Sequence, residues 1–485
     1  MTLARITSTL ELKARTLALI EAGDLDRALH VLHDFVEKII TEPLCTSQVF
    51  GSEMLDALCM QIGGANLHAM ARPVSRGDAP DTEAPYVYIV TKLQRSGGHT
   101  RVIEDFIRAR PEARHVILAT GLEGASDTDY LENGLAREVD VRFDLAPSGS
   151  YAQRLSWLQQ QLAALRPRHV YLFNHHQDSV AVAALHPDLG LHGSFYHHGD
   201  HHLCLGVHLS HLEHIDLHPM GYHYCRDALG IENTYIPLTA NDRGERPADL
   251  PFLGGGTLTT CTAGRSNKIE VPYFVSYLDV VPELLQTTGG RHVHIGRLTP
   301  WARRRIARGM KRLGIAPERF VYVPWVPSVW QALHTHRVDL YIASFPYGGG
   351  LTLIEAMGAG VPVALHRHIF SRVLSGIELG YPGAFSWRDP AELLAYCASL
   401  TQDMLAHGGD MARNHYSRFH RPEPLRDMLE GRARVEPRPL SDDFRVATDA
   451  WALWMESQMT MQRLAAKAVY RTLRKVRGML QAMRR

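Results

Sequence analysis

Residues 344–365 read SFPYGGGLTLIEAMGAGVPVAL, and this stretch decides the fold that the sequence predicts. Its order of residue types predicts a strand end, a turn of three glycines (Gly348, Gly349 and Gly350), a helix and the next buried strand. Glycines let a backbone approach a ligand closely, and the N-terminus of the following helix favours an anion. The glycines could equally serve packing alone. The stretch therefore indicates either a phosphate site or a tightly packed connection.

Two polar residues follow on the predicted helix. Thr352 lies in its first turn, where a hydroxyl and a backbone N–H could both reach a phosphate. Glu355 is placed to accept hydrogen bonds from sugar hydroxyls, as acids do in other nucleotide-binding folds. An acid this close to a helix N-terminus also interacts favourably with the helix dipole. Both roles can hold at once for Glu355.

The composition is that of a globular protein with no strong overall charge. The chain has 485 residues, 45% of them hydrophobic, and its 52 Lys and Arg nearly balance its 51 Asp and Glu. A length of this order predicts two main domains with additions. The six cysteines form no CxxC pair, and neither a signal peptide nor a long apolar run is visible. We therefore expect a cytoplasmic protein without a metal or other cofactor and without a nucleic-acid partner.

The first 75 residues have the apolar spacing of helices. Within them, Gly23 and Asp24 separate two helices that resemble one tetratricopeptide unit. A single hairpin of this kind cannot bury both of its faces, so we expect it to pack on the body of the protein. The polar, proline-containing stretch at 71–85 predicts a domain boundary.

Two series of buried strands alternating with helices follow, which predicts parallel sheets. The first series lies within 85–250 and the second within 255–435, while 440–485 reads as C-terminal helices. The predicted fold class is α/β, with two facing doubly wound, Rossmann-like domains. Ligands of such sheets bind beyond the carboxyl ends of the strands, which here means the cleft between the domains. The strand sequences are YVYIVT, HVILAT, VDVRFDL and HVYLFN in the first series, and TLTTCTAG, HVHIG, FVYVPW, DLYIAS and PVALH in the second.

The second series resembles the donor-binding half of GT-B glycosyltransferases. Three motifs carry the resemblance in order: TAGRSNKIE at 262–270, LGIAPERFVYVPWVPS at 313–328, and the run from DLYIASFPYGGG to ELGYPG at 339–383. It is similar above all to the SPINDLY and O-linked N-acetylglucosamine transferase group, and secondarily to bacterial surface-glycan transferases. In the first series, only the glycine-rich SGGHT at 96–100 matches in outline.

The resemblance implies a nucleotide-sugar donor, with a UDP-sugar expected, and transfer without a metal. It places Arg265 and Lys268 at the donor diphosphate and Pro327 and Ser328 in the loop that passes the nucleobase. Cations and a helix N-terminus would then stabilise the leaving diphosphate. Tyr347 stands where the surface-glycan family has a second glutamate, so retention of configuration does not carry over. The SPINDLY-like group also lacks that acid and inverts, which favours inversion.

An inverting transfer needs a general base, and histidine is the natural candidate among 28 in the chain. His99, in the SGGHT loop at the cleft side of the first strand, is our first candidate. A dense group of histidines at 175–214 adds His198, Asp200 and His201 as candidates for the acceptor cleft. These histidines could instead fill structural hydrogen-bonding positions. A metal site is the least favoured interpretation, since adjacent histidines point in different directions.

The tail at 462–485 carries eight Lys or Arg residues and no acid, with an apolar stripe at helical spacing. Such a basic amphipathic helix can lie on an anionic membrane surface. It could equally dock its stripe on the body of the protein or on another subunit. The residues of the stripe are Val469, Leu473, Val476, Leu480 and Met483.

The sequence therefore predicts a glycosyltransferase that moves a sugar from a nucleotide-sugar to a bacterial surface-glycan or lipid-linked acceptor. A SPINDLY-type transferase acting on a protein hydroxyl or amide is the alternative. A single helical hairpin is too short to grip a peptide as a repeat array does. A sugar-nucleotide epimerase or a non-catalytic binding protein on the same scaffold is an alternative of another class. The predicted location is cytoplasmic, with peripheral contact to the inner face of a membrane as an option.

Overall fold

A computed structural model of the chain describes residues 8–41, 49–70, 83–93, 98–122, 134–271 and 273–442, together with Val469, Thr472 and Val476. It begins with three helices, α1 (Thr9–Glu21), α2 (Leu25–Ile40) and α3 (Glu53–Ala69). Ser8, Asp24 and Ser52 cap their N-termini, each side chain accepting a backbone N–H from three residues further on. Gly23 adopts φ 71° between α1 and α2, a conformation that glycine adopts readily. The predicted break in the hairpin is therefore present.

The first sheet has seven parallel strands in the order β3-β2-β1-β4-β5-β6-β7. The strands are β1 (Tyr86–Val90), β2 (His115–Ala119), β3 (Val141–Leu145), β4 (His169–Phe173), β5 (Gly193–Tyr196), β6 (Glu213–Asp216) and β7 (Asn233–Tyr235). The helices between them are α4 (Gly98–Arg108), α5 (Tyr151–Leu165), α6 (Ser179–Ala184) and α7 (Pro219–Asp227). In the register of this sheet, Tyr88 of β1 lies beside Ile117 of β2 on one side and beside Tyr171 of β4 on the other.

The second sheet has six parallel strands in the order β10-β9-β8-β11-β12-β13. The strands are β8 (Thr259–Ala263), β9 (Arg291–Ile295), β10 (Phe320–Val323), β11 (Leu340–Ile342), β12 (Val363–His366) and β13 (Phe385–Trp387). The helices of this half are α8 (Ser266–Ile269), α9 (Tyr277–Thr288), α10 (Pro300–Arg312), α11 (Val329–Thr335), α12 (Gly350–Gly358), α13 (Arg372–Ser375), α14 (Pro390–Ser399), α15 (Gln402–Phe419) and α16 (Leu425–Leu429).

The predicted pair of doubly wound α/β domains is confirmed. In each sheet the strand order reverses beside the first strand, between β1 and β4 in one domain and between β8 and β11 in the other. Ligands of doubly wound sheets bind at such reversal points, beyond the carboxyl ends of the strands. Helix α12 begins just after β11 and therefore starts at the reversal point of the second sheet.

Four strands were not predicted, namely β5, β6, β7 and β13. They are three or four residues long and carry polar or histidine residues, so they give no buried-strand signal. Strand β3 was predicted as buried, but none of its residues is fully buried. It lies at the edge of the first sheet, where one side has no neighbouring strand.

The three N-terminal helices pack on the first domain, as expected for a lone hairpin. Their apolar residues join one core with one face of the first sheet and with α5 and α6. The buried carboxylate of Asp56 on α3 accepts the N–H of Gly206 at 2.7 Å and the N–H of His208 at 2.9 Å. The extension thus holds the loop between β5 and β6 in place.

The chain returns to the first domain near its end. The buried Arg110 side chain donates to the carbonyl of Leu429 on α16, and a ring nitrogen of His223 lies 3.0 Å from the carbonyl of Arg438. The segment at 443–457, within the predicted C-terminal helices, lies outside the described residues. So does most of the tail, of which Val469 and Val476 are helical and exposed. No described helix is long and apolar enough to cross a membrane.

Candidate active site

A cavity of about 400 Å³ lies between the carboxyl ends of the two sheets. The glycine turn and α12 form one wall, and the loop that follows β5 together with the start of α7 forms the opposite wall. The cleft that the sequence predicted between the domains is therefore present. Its polar and glycine lining includes His198, Asp200, His201, His202, His218, Asn267, Lys268, Ser344, Tyr347, Gly348, Gly349 and Gly350.

The three glycines of the turn are held in close contact with the protein itself. A Cβ on Gly349 would lie 2.6 Å from the hydroxyl of Thr352, and a Cβ on Gly348 would lie 3.1 Å from the carbonyl oxygen of Leu374. On Gly350 a Cβ would lie 3.2 Å from Nε2 of His218, a residue of the other domain. Because φ is not positive at these glycines, glycine is needed there for its lack of a side chain and not for its backbone conformation. The glycines of the turn therefore allow close packing, which is compatible with a ligand role.

The N-terminus of α12 faces the cleft with unused backbone donors. The first bond within the helix runs from the N–H of Leu353 to the carbonyl of Gly349, and no described side chain caps this end. The N–H groups of residues 350–352 therefore precede the hydrogen-bonded part of the helix. Free donors and the positive end of the dipole together make a site for an anion.

Lys268 supplies a positive charge at the same place. Its Nζ donates to the carbonyl of Gly348 at 2.9 Å and would lie 3.3 Å from a Cβ on Gly349. Burial and the nearby charge of Arg265 lower the pKa of Lys268 to about 8. A partly buried cation with a lowered pKa gains from a negative partner, because an anion offsets both the burial and the repulsion.

A second cavity, of about 110 Å³, lies at the other side of α12 and also joins the two domains. Glu355, Ser328 and Pro327 line it from the second domain, and Arg101 and Arg243 line it from the first. Oε2 of Glu355 accepts the N–H of Trp330 at 2.8 Å, so this carboxylate also caps α11. Burial raises the pKa of Glu355. The predicted donor residues are thus divided between two neighbouring cavities.

Three predicted donor residues have more limited roles in the geometry. Arg265 is exposed at the start of α8, beside Lys268 but not among the residues that line the larger cavity. The hydroxyl of Thr352 donates to the carbonyl of Gly349 and accepts from the hydroxyl of Tyr341, both at 3.0 Å. Tyr347 lines the larger cavity, and its N–H donates to the carbonyl of Lys268.

A histidine that the sequence did not single out faces the glycine turn from the first domain. Nδ1 of His218 lies 2.5 Å from Oδ2 of Asp200, which is buried. Nε2 of His218 is buried and has no hydrogen-bond partner within the described residues. Desolvation lowers the pKa of His218, but the Asp200 carboxylate outweighs it and leaves that pKa raised, while the pKa of Asp200 is held well below its usual value. Asp200 therefore orients His218 with Nε2 towards the start of α12.

His99 and His198 lie next to each other, with ring centres 4.3 Å apart. Nε2 of His99 lies 3.0 Å from the carbonyl oxygen of Phe173, which fixes this nitrogen as the donor. Burial lowers the pKa of His99 to about 3, and it lowers that of His198 as well. His198 lines the larger cavity, while His99 does not. Ser96 and Gly97 of the glycine-rich loop lie outside the described residues.

Asp178, from the same histidine-rich region, has a structural role. Its carboxylate accepts the hydroxyls of Thr91 and Thr120, both at 2.6 Å, and the N–H of Ala181 at the start of α6. The one sequence signal at His218 is its place just before a proline that opens a helix. Without β6 among the predicted strands, nothing in the sequence placed it at a carboxyl end.

Solved structures similar to this chain include glycosyltransferases. HepE from Anabaena, in complex with UDP and glucose, is 13% identical, with 72% of this chain and 98% of HepE covered at a TM-score of 0.53. A mutant O-GlcNAc transferase from Thermobaculum terrenum is 14% identical, with 87% of this chain and 82% of that protein covered at a TM-score of 0.51. A glycosyltransferase from Rickettsia africae is 14% identical, with 72% and 98% covered at a TM-score of 0.54.

No protein-family model matches the sequence, and no curated protein is significantly similar to it. At these identities the solved structures establish the fold. The chain therefore has the GT-B arrangement of two doubly wound domains that its second half led us to expect.

Proposed function

We propose that this protein is a glycosyltransferase that uses a nucleotide-sugar, with a UDP-sugar as the expected donor. The observation that carries the proposal is the uncapped start of α12 beside the partly buried Lys268, facing the His218–Asp200 pair across the cleft. Structures of HepE with UDP and with UDP-glucose on a similar fold support the choice of nucleotide.

The donor would span the two cavities. Its diphosphate would lie at the N–H groups of residues 350–352 and at Nζ of Lys268. Its nucleoside would occupy the smaller cavity, where Glu355 can accept ribose hydroxyls next to Ser328 and Pro327. The sugar would then lie in the larger cavity, near Tyr347 and the histidines of the first domain.

The chemistry is a displacement at the anomeric carbon of the donor sugar. The acceptor oxygen or nitrogen forms a bond to this carbon, and the bond from the carbon to the diphosphate breaks. The diphosphate leaves with the electron pair, stabilised by Lys268 and by the start of α12. Nε2 of His218 takes the acceptor proton while Asp200 holds the ring through Nδ1, as paired carboxylates do for other catalytic histidines.

His218 replaces His99 as our candidate base. The ring of His99 donates to the carbonyl of Phe173, and its lowered pKa makes it a weak proton acceptor. We assign His198 and His201 to the acceptor side of the cleft, where both line the larger cavity. Inversion at the anomeric carbon remains the expected outcome, because Tyr347 offers no carboxylate for a retaining route.

We propose a surface-glycan or lipid-linked acceptor rather than a protein. The N-terminal hairpin packs its apolar residues onto the first domain, so it is not available as a repeat groove for a peptide. The basic tail at 462–485 would hold the enzyme at the inner face of a membrane. A protein hydroxyl or amide is the alternative acceptor.

The direct test is to incubate the protein with UDP-, GDP- and dTDP-sugars. The melting temperature is measured first, and turnover is measured second. A donor that binds the folded protein raises its melting temperature. Transfer to a lipid-linked or glycan acceptor, with release of the nucleotide, is the expected result. Conversion of the sugar-nucleotide without any acceptor would instead show an epimerase, and binding without turnover would show a non-catalytic protein.

A further inference from the structure

A group of four buried side chains in the first domain lies behind the cleft and takes no part in the proposed transfer. His197 follows β5, His214 and Asp216 belong to β6, and Cys225 lies on α7. Their exposed fractions are 1%, 4%, 0% and 0%. One possible ligand atom from each residue lies within 4.8 Å of those of the other three.

Three distances within this group are close to those of a tetrahedral zinc site. Bond lengths of about 2.0 Å to nitrogen or oxygen and about 2.3 Å to sulfur place ligand atoms about 3.3–3.6 Å apart. Nδ1 of His197 lies 3.0 Å from Oδ1 of Asp216 and 3.5 Å from Sγ of Cys225. Sγ of Cys225 lies 3.7 Å from Oδ1 of Asp216. Three ligand atoms therefore already have nearly tetrahedral spacing.

The fourth ligand and the surrounding contacts agree with such a site. Nε2 of His214 lies 3.3 Å from Oδ2 of Asp216, the second oxygen of that carboxylate, and this nitrogen has no hydrogen-bond partner in the described part of the chain. The other nitrogen of His214 lies 3.3 Å from the carbonyl oxygen of Val207. Asn233 donates to Oδ2 of Asp216 at 2.7 Å. Carbonyls and amides in these positions orient the ligands of metal sites.

We propose that His197, His214, Asp216 and Cys225 bind one structural Zn²⁺ ion. Imidazole, carboxylate and thiolate together are a ligand set that zinc accepts. On binding, the Cys225 thiol releases its proton to solvent and forms a bond from sulfur to the metal. The adjacent histidine pairs considered in the sequence do not form this group, because its members come from three separate elements.

The ion would fix the loop that shapes the acceptor side of the cleft. His197 and His214 bracket this loop, which carries His198, Asp200 and His201 into the larger cavity. A Cβ on Gly221 of α7 would lie 3.1 Å from Oδ1 of Asp216 and 3.2 Å from Oδ2 of Asp200. The metal group and the His218–Asp200 pair are thus separated by one glycine.

The test measures metal in untagged protein produced with added zinc, so that it does not depend on transferase activity. We expect about one Zn²⁺ per chain in the wild type, since a tetrahedral site holds one ion. Cys225→Ser and His214→Gln should reduce zinc to background. Cys204→Ser is the matched control, because Cys204 is a buried cysteine of the same domain outside the group.

A second measurement serves if the variants fail to fold. Wild-type protein loaded with Co²⁺ should show the absorption of a thiolate-to-cobalt transition, and a strong chelator should remove it and lower the melting temperature. Wild-type protein without zinc and without a melting-temperature rise on adding Zn²⁺ would overturn the proposal. Equal loss of zinc in Cys204→Ser would overturn it as well.

Discussion

A Cβ on Gly350 would lie 3.2 Å from Nε2 of His218. A histidine of the first domain therefore contacts the start of α12 in the second domain. Nδ1 of the same histidine lies 2.5 Å from the Asp200 carboxylate. The relationship joins the proposed base to the proposed diphosphate site across the domain boundary.

We expect His218→Asn to reduce kcat by about 10²- to 10⁴-fold, the usual contribution of a general base. Asp200→Asn should reduce kcat less, since the ring of His218 would remain but lose its orientation. Donor affinity, measured by calorimetry with UDP, should change little in Asp200→Asn. The matched control is His192→Asn, which alters an exposed histidine of the same domain.

His99→Ala separates the two candidate bases. Because Nε2 of His99 donates to the carbonyl of Phe173, its removal should lower the melting temperature. We expect its kcat to stay well above that of His218→Asn. The reverse order of the two kcat values would return the role of base to His99.

Donor binding should depend on the protonation of Lys268. Its charged form binds the diphosphate, and its pKa is lowered to about 8. Affinity for UDP should therefore be constant below about pH 8 and fall up to about tenfold per pH unit above it. Lys268→Ala should weaken UDP binding about 10- to 100-fold at pH 7, by ~1.5–3 kcal/mol, and remove this pH dependence.

Lys311→Ala is the control for that series, because Lys311 is an exposed lysine of the same domain. Calorimetry from pH 7 to 10 covers the range in which the pKa of Lys268 matters while the phosphates of UDP stay ionised. An unchanged pH profile in Lys268→Ala would show that another group controls donor binding.

Gly350→Ala tests the approach of the two domains. The added methyl group would crowd Nε2 of His218 and a methyl group of Leu238, which lies 3.0 Å from the same position. We expect a clear loss of kcat, while circular dichroism shows retained helix, since alanine is the better helix former. Gly255→Ala is the control, because a Cβ there meets nothing within 4 Å and φ is not positive.

Glu355→Gln tests the nucleoside cavity without removing the cap of α11. The glutamine oxygen can still accept the N–H of Trp330, so stability should change little, whereas a weaker acceptor for ribose hydroxyls should reduce UDP affinity. Glu355→Ala should also cost about 1 kcal/mol of stability through the lost cap. UDP affinity that stays the same in Glu355→Gln would exclude a contact to the ribose.

Removal of 462–485 tests the proposed membrane contact. Sedimentation with anionic liposomes should be lost in the truncated protein, because its eight basic residues are gone. Turnover on a soluble acceptor should be unchanged. Equal sedimentation of both proteins would contradict a role of the tail in membrane binding.

The sequence predicted the second domain's side of the cleft better than the first domain's side, which we propose binds the acceptor. Lys268, the glycine turn and Glu355 belong to segments with strong local signals: apolar strands, a glycine run and an amphipathic helix. Local patterns of this kind predict the end of a strand and the start of a helix. The sequence could therefore place these residues around one helix N-terminus.

The acceptor side depends on contacts between distant segments. His218 and Asp200 meet because β5 and β6 are neighbours, yet both strands are too short and too polar to be predicted. For the same reason, the sequence could not predict the group that contains His197, His214 and Cys225. The density of histidines in the sequence indicated this region, but it did not show which of these residues lie close together in the fold.

Asp56 connects the N-terminal helices to the loop between β5 and β6. Its carboxylate holds the N–H groups of Gly206 and His208, which belong to the loop that carries the acceptor-side histidines. Removing the first 70 residues would therefore leave the second domain intact, but it would expose one face of the first sheet and release the loop between β5 and β6. If the proposed function holds, a truncated protein of this kind should still bind UDP but no longer transfer the sugar to its acceptor.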